Sequence, residues 1–424
     1  MRASSFQRRL LPIALFATVF AVHVASPVMT SWDSRWSIPT AVSIVREGNT
    51  DLDEYRSIVA AQDFYGIEQM DGHLRTFFPV GVSLLAVPFV AVADRLNPHP
   101  AGAPPPETFS VQHAAKLERF IASLVVAGAA VVVFLTASLS LTAWPALGLA
   151  ALFAFGTSAW SIASRALWQH GPSMFLIALA LHLFARAREE PRLIAYASIP
   201  LALAYTVRPT NAVAIVVFSF LVALRHRSAL PRFVAFAVPI AAAFVWYSWA
   251  TYHSILPPYH GAARVGATPY FWSALAGNLV SPARGLFVYT PVFLLCIVGI
   301  ALQLRQRTFD ALDGALVAIC FLHWIAISSF SLWWGGHSYG PRFFTDLLPV
   351  FVYFLIPVVP AIGGAGARRR HIAAAAFAVL AVAGVLLHGR GAVDKRTWEW
   401  NSKPVDVGRA PERLWDFHDP PFLR

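Results

Sequence analysis

Twelve apolar runs divide the sequence, and they constrain its fold more than any other feature. They lie near 10–29, 79–93, 120–140, 144–163, 171–185, 193–207, 210–224, 233–252, 286–302, 314–334, 343–362 and 372–388. Charged residues make up only 13% of the chain, against about 25% in a typical soluble protein. One core cannot absorb that deficit over 424 residues, so the runs are predicted to be membrane helices. Soluble, disordered and disulfide-scaffold proteins are excluded, as is a β-barrel, which needs short alternating segments.

Arginine-rich short loops indicate which ends of the helices face the cytoplasm. These loops lie at 186–192, 225–232, 305–307 and 368–370. Basic residues favour the cytoplasmic side, but twelve crossings would put the arginine-bearing N-terminus and the 186–192 loop on opposite sides. One early run therefore does not cross. The best candidate is 79–93, which contains Pro79 and Pro88 and is read as a juxtamembrane or re-entrant helix. The prediction is an all-α polytopic membrane protein with about eleven transmembrane helices, and twelve spans are the alternative.

This topology puts the soluble mass on the outer face. The first apolar run is read as a retained span with a cytoplasmic N-terminus rather than as a signal peptide. Residues 1–388 then form one integral membrane module with a large outer loop, 30–112, and residues 389–424 form a polar outer tail. Because the cytoplasmic loops are short, the chemistry is expected outside. The net charge of +11 is attributed to membrane orientation and not to nucleic acid.

Asp33 is the carboxylate best placed for outer-face chemistry. It lies in the segment 31–36, just past the first span. Flanking tryptophans at the interface would partly desolvate it and make it a better proton acceptor. The alternative is that Asp33 caps a helix over 37–47, with Trp32 and Trp36 as interface anchors.

A second group of polar residues lies further along the first outer loop. Asp51 and Asp53 form an Asp-x-Asp pair that could hold a divalent metal against phosphates, or could cap the next helix. His73 and Arg75 are candidate substrate contacts, with a solvated turn as the alternative. The chain contains no nucleotide-binding motif and no zinc spacing. No cofactor is therefore indicated with certainty, and a divalent cation stays an open alternative.

Four arginines lie at outer ends of spans on this topology: Arg165, Arg208, Arg284 and Arg342. A charge at the membrane boundary is costly unless it is paired, and few acids are near enough to pair with all four. An anionic ligand would compensate the surplus, and a guanidinium suits phosphate because it binds bidentately. A lipid-linked phosphate fits both the charge and the depth. The alternative is snorkelling to ordinary lipid headgroups.

Two outer segments combine polar and aromatic side chains. They are 167–172, with Gln169 and His170, and 333–342, with His337 and Tyr339. The glycines of the second segment allow close approach of a ligand. These four side chains are therefore predicted to contact substrate, and the histidines are expected to form hydrogen bonds rather than to bind metal.

Together these features resemble the GT-C superfamily of polytopic glycosyltransferases, which includes the protein O-mannosyltransferases and the lipid A aminoarabinose transferases. The resembling positions extend over most of the chain: Asp33; Gly48, Asp51 and Tyr55; Phe78, Pro79 and Gly81; 168–172; 281–287 with Tyr289 and Pro291; 333–336; and Arg342 with Phe343.

The resemblance implies an enzyme of the bacterial inner (plasma) membrane. It would transfer a sugar from a polyprenyl-phosphate-linked donor to a glycan, lipid or protein acceptor on the outer face, with inversion. Asp33 would be the general base, and the arginines would stabilise the leaving phosphate. At Gln169 and His170 the sequence lacks a carboxylate that the family often has, which puts metal dependence in doubt. Only 389–424 follow the last span, which argues against an oligosaccharyltransferase role.

Two other functions stay open. A transporter or flippase of lipid-linked sugars would need polar groups at mid-membrane, where His182 and His323 are the main candidates. A non-catalytic envelope assembly protein would leave the outer arginines unexplained.

Overall fold

The computed structural model describes residues 5–61, 65–96, 114–261, 266 and 268–424. Within them the chain forms nineteen α-helices and one two-stranded sheet. The helices are α1 (Ser5–Ala25), α2 (Ser37–Arg46), α3 (Arg56–Ala61), α4 (Val80–Leu96), α5 (Ala114–Ala137), α6 (Ala143–Phe155), α7 (His170–Arg186), α8 (Leu193–Tyr196), α9 (Ser198–Val207), α10 (Ala212–Arg225), α11 (Leu230–Tyr252), α12 (Phe271–Val280), α13 (Leu286–Tyr289), α14 (Leu295–Gln306), α15 (Ala311–Ser328), α16 (Leu348–Leu355), α17 (Val358–Gly363), α18 (Ala367–Val393) and α19 (Arg396–Glu399). The strands are β1 (Ile67–Met70) and β2 (His73–Thr76).

Each of the twelve apolar runs is largely helical, because a backbone in lipid must satisfy its own hydrogen bonds. Five helical segments are long and apolar enough to cross a membrane, namely Ala114–Ala137, Leu230–Tyr252, Ala311–Ser328, Arg342–Gly363 and Ala367–Val393. Shorter apolar helices accompany them, and several runs are broken at glycine or proline into consecutive pieces. The all-α membrane fold is confirmed, whereas the number of spans stays a prediction.

The pairing of α1 with α5 bears on whether α4 crosses. The two helices are antiparallel neighbours: the rings of Phe20 and Phe120 lie 5.3 Å apart, and Arg119 Nη1 donates to the carbonyl of Ser26 at 3.4 Å. The chain between them therefore begins and ends at the same end of the pair. In between, α4 packs along the short α2, where Arg46 forms an ion pair with Asp94. This arrangement supports a juxtamembrane α4 that does not cross.

The first outer loop contains a β-hairpin that was not predicted. β1 and β2 pair antiparallel, and Asp71 and Gly72 make the turn with φ angles of 51° and 83°. Asp-Gly is the preferred pair for a two-residue turn with positive φ at both positions. A signal for the hairpin was therefore present in the sequence.

The C-terminal segment is folded against the outer loops instead of forming a free polar tail. Trp400, Val407 and Leu414 are buried in a cluster with Trp333 and Trp334. α18 also continues to Val393, so the predicted boundary between 388 and 389 falls inside a helix. The segment is therefore a cap on the end of the bundle at which α18 ends.

Candidate active site

Asp33 and Arg342, 309 positions apart in sequence, meet in the folded chain. Arg342 Nη2 donates to Asp33 Oδ2. The two side chains are 17% and 13% exposed, so the pair is partly accessible to solvent. A carboxylate that can accept a proton thus lies against a guanidinium that can hold an anion. The structure brings together the two residues on which the predicted chemistry depends most.

The segment that carries Asp33 is held from below by Glu118. Glu118 Oε2 accepts a hydrogen bond from Ser34 Oγ at 2.6 Å and another from the N–H of Leu167 at 3.3 Å. One buried carboxylate therefore ties the Asp33 segment to the segment that leads into α7. The Asp33 side chain does not cap α2, whose N-cap residue is Trp36 and has no side-chain cap. The alternative reading of Asp33 as a cap is not supported.

A buried charge network of His170, Arg208 and Asp346 supports Arg342. His170 Nε2 lies 3.0 Å from Arg342 Nε and 3.1 Å from Arg208 Nη1. Because a guanidinium only donates, Nε2 is the acceptor, and the ring proton is assigned to Nδ1. Nδ1 faces Asp346 Oδ1 at 3.5 Å, and Arg208 Nε forms an ion pair with Asp346 Oδ2 at 2.8 Å. The structure therefore brings Arg208 and His170 next to Arg342, with Asp346 as their common anion, and their contact with substrate stays a prediction.

Aromatic rings enclose this network. The Arg342 guanidinium lies 4.3 Å from the ring centre of Trp168 and 5.7 Å from that of Phe343. Each such contact stabilises a cation by about 0.5–2 kcal/mol. Gln169 also lies here, where its Oε1 accepts from the Tyr259 hydroxyl at 3.2 Å.

Tyr65 lies at the edge of the site. Its ring contacts Phe78 with centroids 5.9 Å apart, and the side chain is 64% exposed. Partial desolvation and the nearby negative charge of Asp33 raise the pKa of Tyr65. The tyrosine is therefore a neutral neighbour of Asp33 at the solvent side of the site.

Arg165 has a structural role that differs from the prediction. Its guanidinium is fully buried and donates to the carbonyls of His23 and Ser26 and, through Nε at 3.1 Å, to the carbonyl of Trp160. These acceptors include the last turn of α1, where a cation is favoured by the unpaired carbonyls of the helix end. Every hydrogen bond that the structure gives this guanidinium is to these carbonyls or to Ser164 Oγ, and none is to the Asp33 network.

Arg284 also binds protein groups instead of facing the site. Nε donates to the carbonyl of Trp334 at 2.9 Å, and Nη2 donates to Asn401 Oδ1 at 2.7 Å and to the carbonyl of Gly336 at 3.2 Å. It thereby links the 281–285 turn, the 333–342 loop and the C-terminal cap. In the described part of the chain neither Arg165 nor Arg284 forms an ion pair with an acid, so both add positive potential to this face.

His337 and Tyr339 hold the loop that presents Arg342. His337 Nε2 lies 2.7 Å from Asp406 Oδ2 in the C-terminal cap, and the buried Tyr339 hydroxyl donates to the carbonyl of Leu387 in α18 at 2.6 Å. Burial raises the pKa of Asp406, but the N–H of Gly408 and the His337 ring outweigh it and hold that pKa below its usual value. The structure gives both residues partners outside the Asp33 network.

The predicted metal candidates come together in the hairpin with a third residue. Ligand atoms of Asp51, Asp53 and His73 lie within 4.8 Å of one another, and carboxylate with imidazole suits a divalent ion. However, Asp53 Oδ1 accepts from the N–H of Leu74 at 2.9 Å and from Arg56 Nη2 at 2.6 Å, and Oδ2 lies 2.6 Å from His73 Nδ1. Burial raises the pKa of Asp53, but these contacts outweigh it and lower that pKa.

Asp53 of this cluster beside the hairpin is therefore already bonded to Arg56, His73 and the backbone, and the metal site stays a prediction. Arg75 on the same hairpin donates to Thr50 Oγ1 at 3.3 Å and not to the Asp33 network. The substrate contacts predicted for His73 and Arg75 stay predictions, and no step at Asp33 depends on this cluster.

Several site residues could not be assigned from sequence. Tyr65 and Tyr259 have no motif around them. Asp346 did carry a signal, because it lies inside the apolar run 343–362, where an acid is costly and tends to mark a functional network, and Glu118 lies just before the run 120–140. Asp346 also follows Arg342 by four positions, so the two were bound to share a turn.

The fold is similar to solved membrane glycosyltransferase structures, whereas no protein-family model and no curated protein matches the sequence. The oligosaccharyltransferase of Archaeoglobus fulgidus in its apo form is 12% identical, with a TM-score of 0.58 over 99% of this chain and 61% of that one. The same enzyme tethered to an acceptor peptide with the NVT sequon is 14% identical, with a TM-score of 0.57 over 99% and 60%. ArnT of Cupriavidus metallidurans bound to undecaprenyl phosphate is 13% identical, with a TM-score of 0.53 over 91% and 65%.

This chain thus spans about three fifths of the length of these proteins. At such low identity the likeness concerns the fold, which is the GT-C fold that the resemblance predicted.

Proposed function

We propose that this protein is a glycosyltransferase that moves a sugar from a polyprenyl-phosphate-linked donor to an acceptor hydroxyl on the outer face of the membrane. The observation that carries the proposal is the contact between Asp33 and Arg342 at the accessible end of a buried charge network. The bacterial inner membrane is the proposed location, and the acceptor is a glycan, lipid or protein. The GT-C fold supports this reaction class, since ArnT with that fold is bound to undecaprenyl phosphate.

The proposed step is an inverting displacement. Asp33 takes the proton of the acceptor hydroxyl while the acceptor oxygen forms a bond to the anomeric carbon. The bond from that carbon to the phosphate oxygen breaks on the opposite face, and its electron pair leaves with the lipid phosphate. Arg342 stabilises the charge that develops on the phosphate. His170 and Arg208 hold Arg342 in place, so that little reorganisation accompanies the reaction.

The polar groups inside the spans favour an enzyme over a carrier. His182 Nδ1 lies 3.0 Å from Thr136 Oγ1, and His323 Nε2 lies 2.9 Å from the carbonyl oxygen of Phe343. These histidines bond within the bundle, as buried polar groups must. The charged groups that could act on a lipid phosphate are instead gathered at the outer end.

Release of polyprenyl phosphate by purified protein in detergent tests the proposal. The assay supplies a panel of polyprenyl-phosphate-linked sugars and a delipidated envelope extract as the acceptor source. An enzyme releases the lipid phosphate without a bilayer, whereas a flippase needs two leaflets. Asp33→Ala should lower the rate at least about 100-fold because the proton acceptor is lost. Glu412→Gln, which removes an equal charge at an exposed position of the C-terminal cap, should keep the wild-type rate. Unchanged transfer by folded Asp33→Ala would remove the proposed mechanism.

A further inference from the structure

We propose that the Asp33 carboxylate and the donor phosphate compete for the same atom, Nη2 of Arg342, so that the donor must bind before Asp33 can act as a base. This inference rests on the proposed function and concerns the order of events at that site. The ligand class is a phosphodiester, and the competing group belongs to the protein itself.

The contacts of Arg342 allow one partner to be exchanged while the others stay. Nε is held by His170 at 3.0 Å, and Nη1 donates to the carbonyl of Gly335 at 2.7 Å. The ring of Trp168 lies against the guanidinium at 4.3 Å. Three neutral groups therefore fix the guanidinium plane, and Nη2 carries its contact with a charged group.

The chemistry of the two anions favours the exchange. Asp33 meets Arg342 through one oxygen and one nitrogen. A phosphodiester has two free oxygens, which can pair with Nη2 and with the second N–H of Nη1, since the Gly335 carbonyl takes only one of the two N–H groups on Nη1. Two parallel charge-assisted hydrogen bonds are stronger than one, so the phosphate can displace the carboxylate.

Accessibility and charge direct the phosphate to Arg342. The inner pair of Arg208 and Asp346 is 6% and 0% exposed and is neutral as a unit. Asp33 and Arg342 are the exposed members of the network. Arg284 adds a positive charge behind them, since its Nη2 binds the carbonyl of Gly336, beside the Gly335 carbonyl that Arg342 uses.

Release from Arg342 leaves Asp33 in place and available. Its backbone N–H donates to Ser31 Oγ at 3.0 Å, and the next residue, Ser34, is held by Glu118 at 2.6 Å. The oxygen that had accepted from Nη2 can then accept the proton of the acceptor hydroxyl. One guanidinium thus couples phosphate binding to the exposure of the base.

Equilibrium binding of undecaprenyl phosphate to the full chain in detergent tests the exchange. Asp33→Asn should tighten binding about fivefold or more, because the competing anion is removed while the side-chain volume is kept. Glu412→Gln, which removes an equal charge at an exposed position of the C-terminal cap, is the charge-matched control and should stay within about twofold of wild type. Thermal unfolding of each variant shows that the compared proteins are folded. Unchanged or weaker binding by Asp33→Asn overturns the proposal.

Further measurements distinguish the donor phosphate from other phosphates. They also distinguish a failure of the exchange from a failure of the proposed function. In the double variant Asp33→Asn with Arg342→Gln the gain should disappear, and a gain that persists overturns the proposal. Phosphatidylglycerol and inorganic phosphate serve as competitors, and displacement by an equal concentration of either overturns the assignment to the donor. Absence of binding by wild type and Asp33→Asn contradicts the proposed function as well. Binding without a gain in Asp33→Asn contradicts the exchange alone.

Discussion

Arg342 contacts three acceptors with three different nitrogens, which is a property of a guanidinium alone. The acceptors are His170, the carbonyl of Gly335 and Asp33. A lysine ammonium is a single nitrogen on a flexible stem and cannot reach all three in one geometry. The function of Arg342 therefore depends on the shape of its side chain as much as on its charge.

Arg342→Lys should lower the transfer rate about 100-fold while the thermal unfolding temperature changes little. The variant loses a preorganised hydrogen-bond donor to the charge that develops on the leaving phosphate. Steady-state kinetics and thermal melts of the same preparation measure the two effects. Arg409→Lys, at an exposed position of the C-terminal cap, is the matched control. A variant Arg342→Lys that kept a third of the wild-type rate would show that charge alone suffices.

Arg165→Met should lower the stability of the protein and leave ligand binding unchanged, the reverse of the expectation for Arg342→Lys. Its partners are the carbonyls of His23, Ser26 and Trp160, and leaving such buried acceptors unpaired costs about 1–3 kcal/mol each. We expect a markedly lower unfolding temperature and an unchanged affinity of the folded fraction for undecaprenyl phosphate. Weaker binding at unchanged stability would place Arg165 in the phosphate site after all. Sequence could not separate the two arginines, because backbone carbonyls as partners leave no trace in side-chain patterns.

At the scale of helices, close packing in this fold depends on single glycines. A Cβ on Gly299 of α14 would overlap the carbonyl oxygen of Phe354 in α16. A Cβ on Gly148 of α6 would meet nothing within 4 Å. Small residues let membrane helices approach closely where no hydrophobic effect drives them together. The apolar runs predict the helices because lipid demands them, but they do not predict which faces touch.

Gly299→Ala should therefore destabilise the protein, whereas Gly148→Ala should be neutral or slightly stabilising. A backbone carbonyl cannot rotate away, so α14 must shift, at a cost of about 1–3 kcal/mol for overpacking. In α6 the same change removes only the flexibility of glycine, worth about 0.5–1 kcal/mol. Thermal unfolding in detergent compares the two. Equal unfolding temperatures for both variants would contradict the tight contact of α14 with α16.

At the scale of the whole molecule, the predicted topology explains how distant residues converge. Outer ends of different spans meet in one plane, which is why Asp33, His170, Arg208 and Arg342 could be assigned to one face before any contact was known. Their mutual contacts could not be predicted, since the order of helices around the bundle is not readable from hydropathy. The folded C-terminal cap was missed for a similar reason, because tryptophans in a polar segment resemble interface anchors.

Cysteine labelling should confirm the orientation of the chain. With eleven spans, a membrane-impermeant maleimide labels Ser402→Cys in intact spheroplasts and labels Glu189→Cys only after permeabilisation, since both positions are exposed but lie on opposite faces. The native Cys296 is buried, and the unmodified chain measures the background. An N-terminal epitope should be accessible only after permeabilisation. An epitope on the same side as position 402 would support twelve spans.

The C-terminal cap makes the assembly of the site depend on the direction of synthesis. Asn401, which holds Arg284 through a hydrogen bond of 2.7 Å, is translated after every helix of the bundle. Until the cap has emerged, the loop that carries Arg342 lacks the contacts that Asn401, Trp400 and Asp406 give it. The nascent chain can thus have every helix of the bundle synthesised while the loop beside Asp33 is still incompletely held, and the site is complete only when translation has passed the cap.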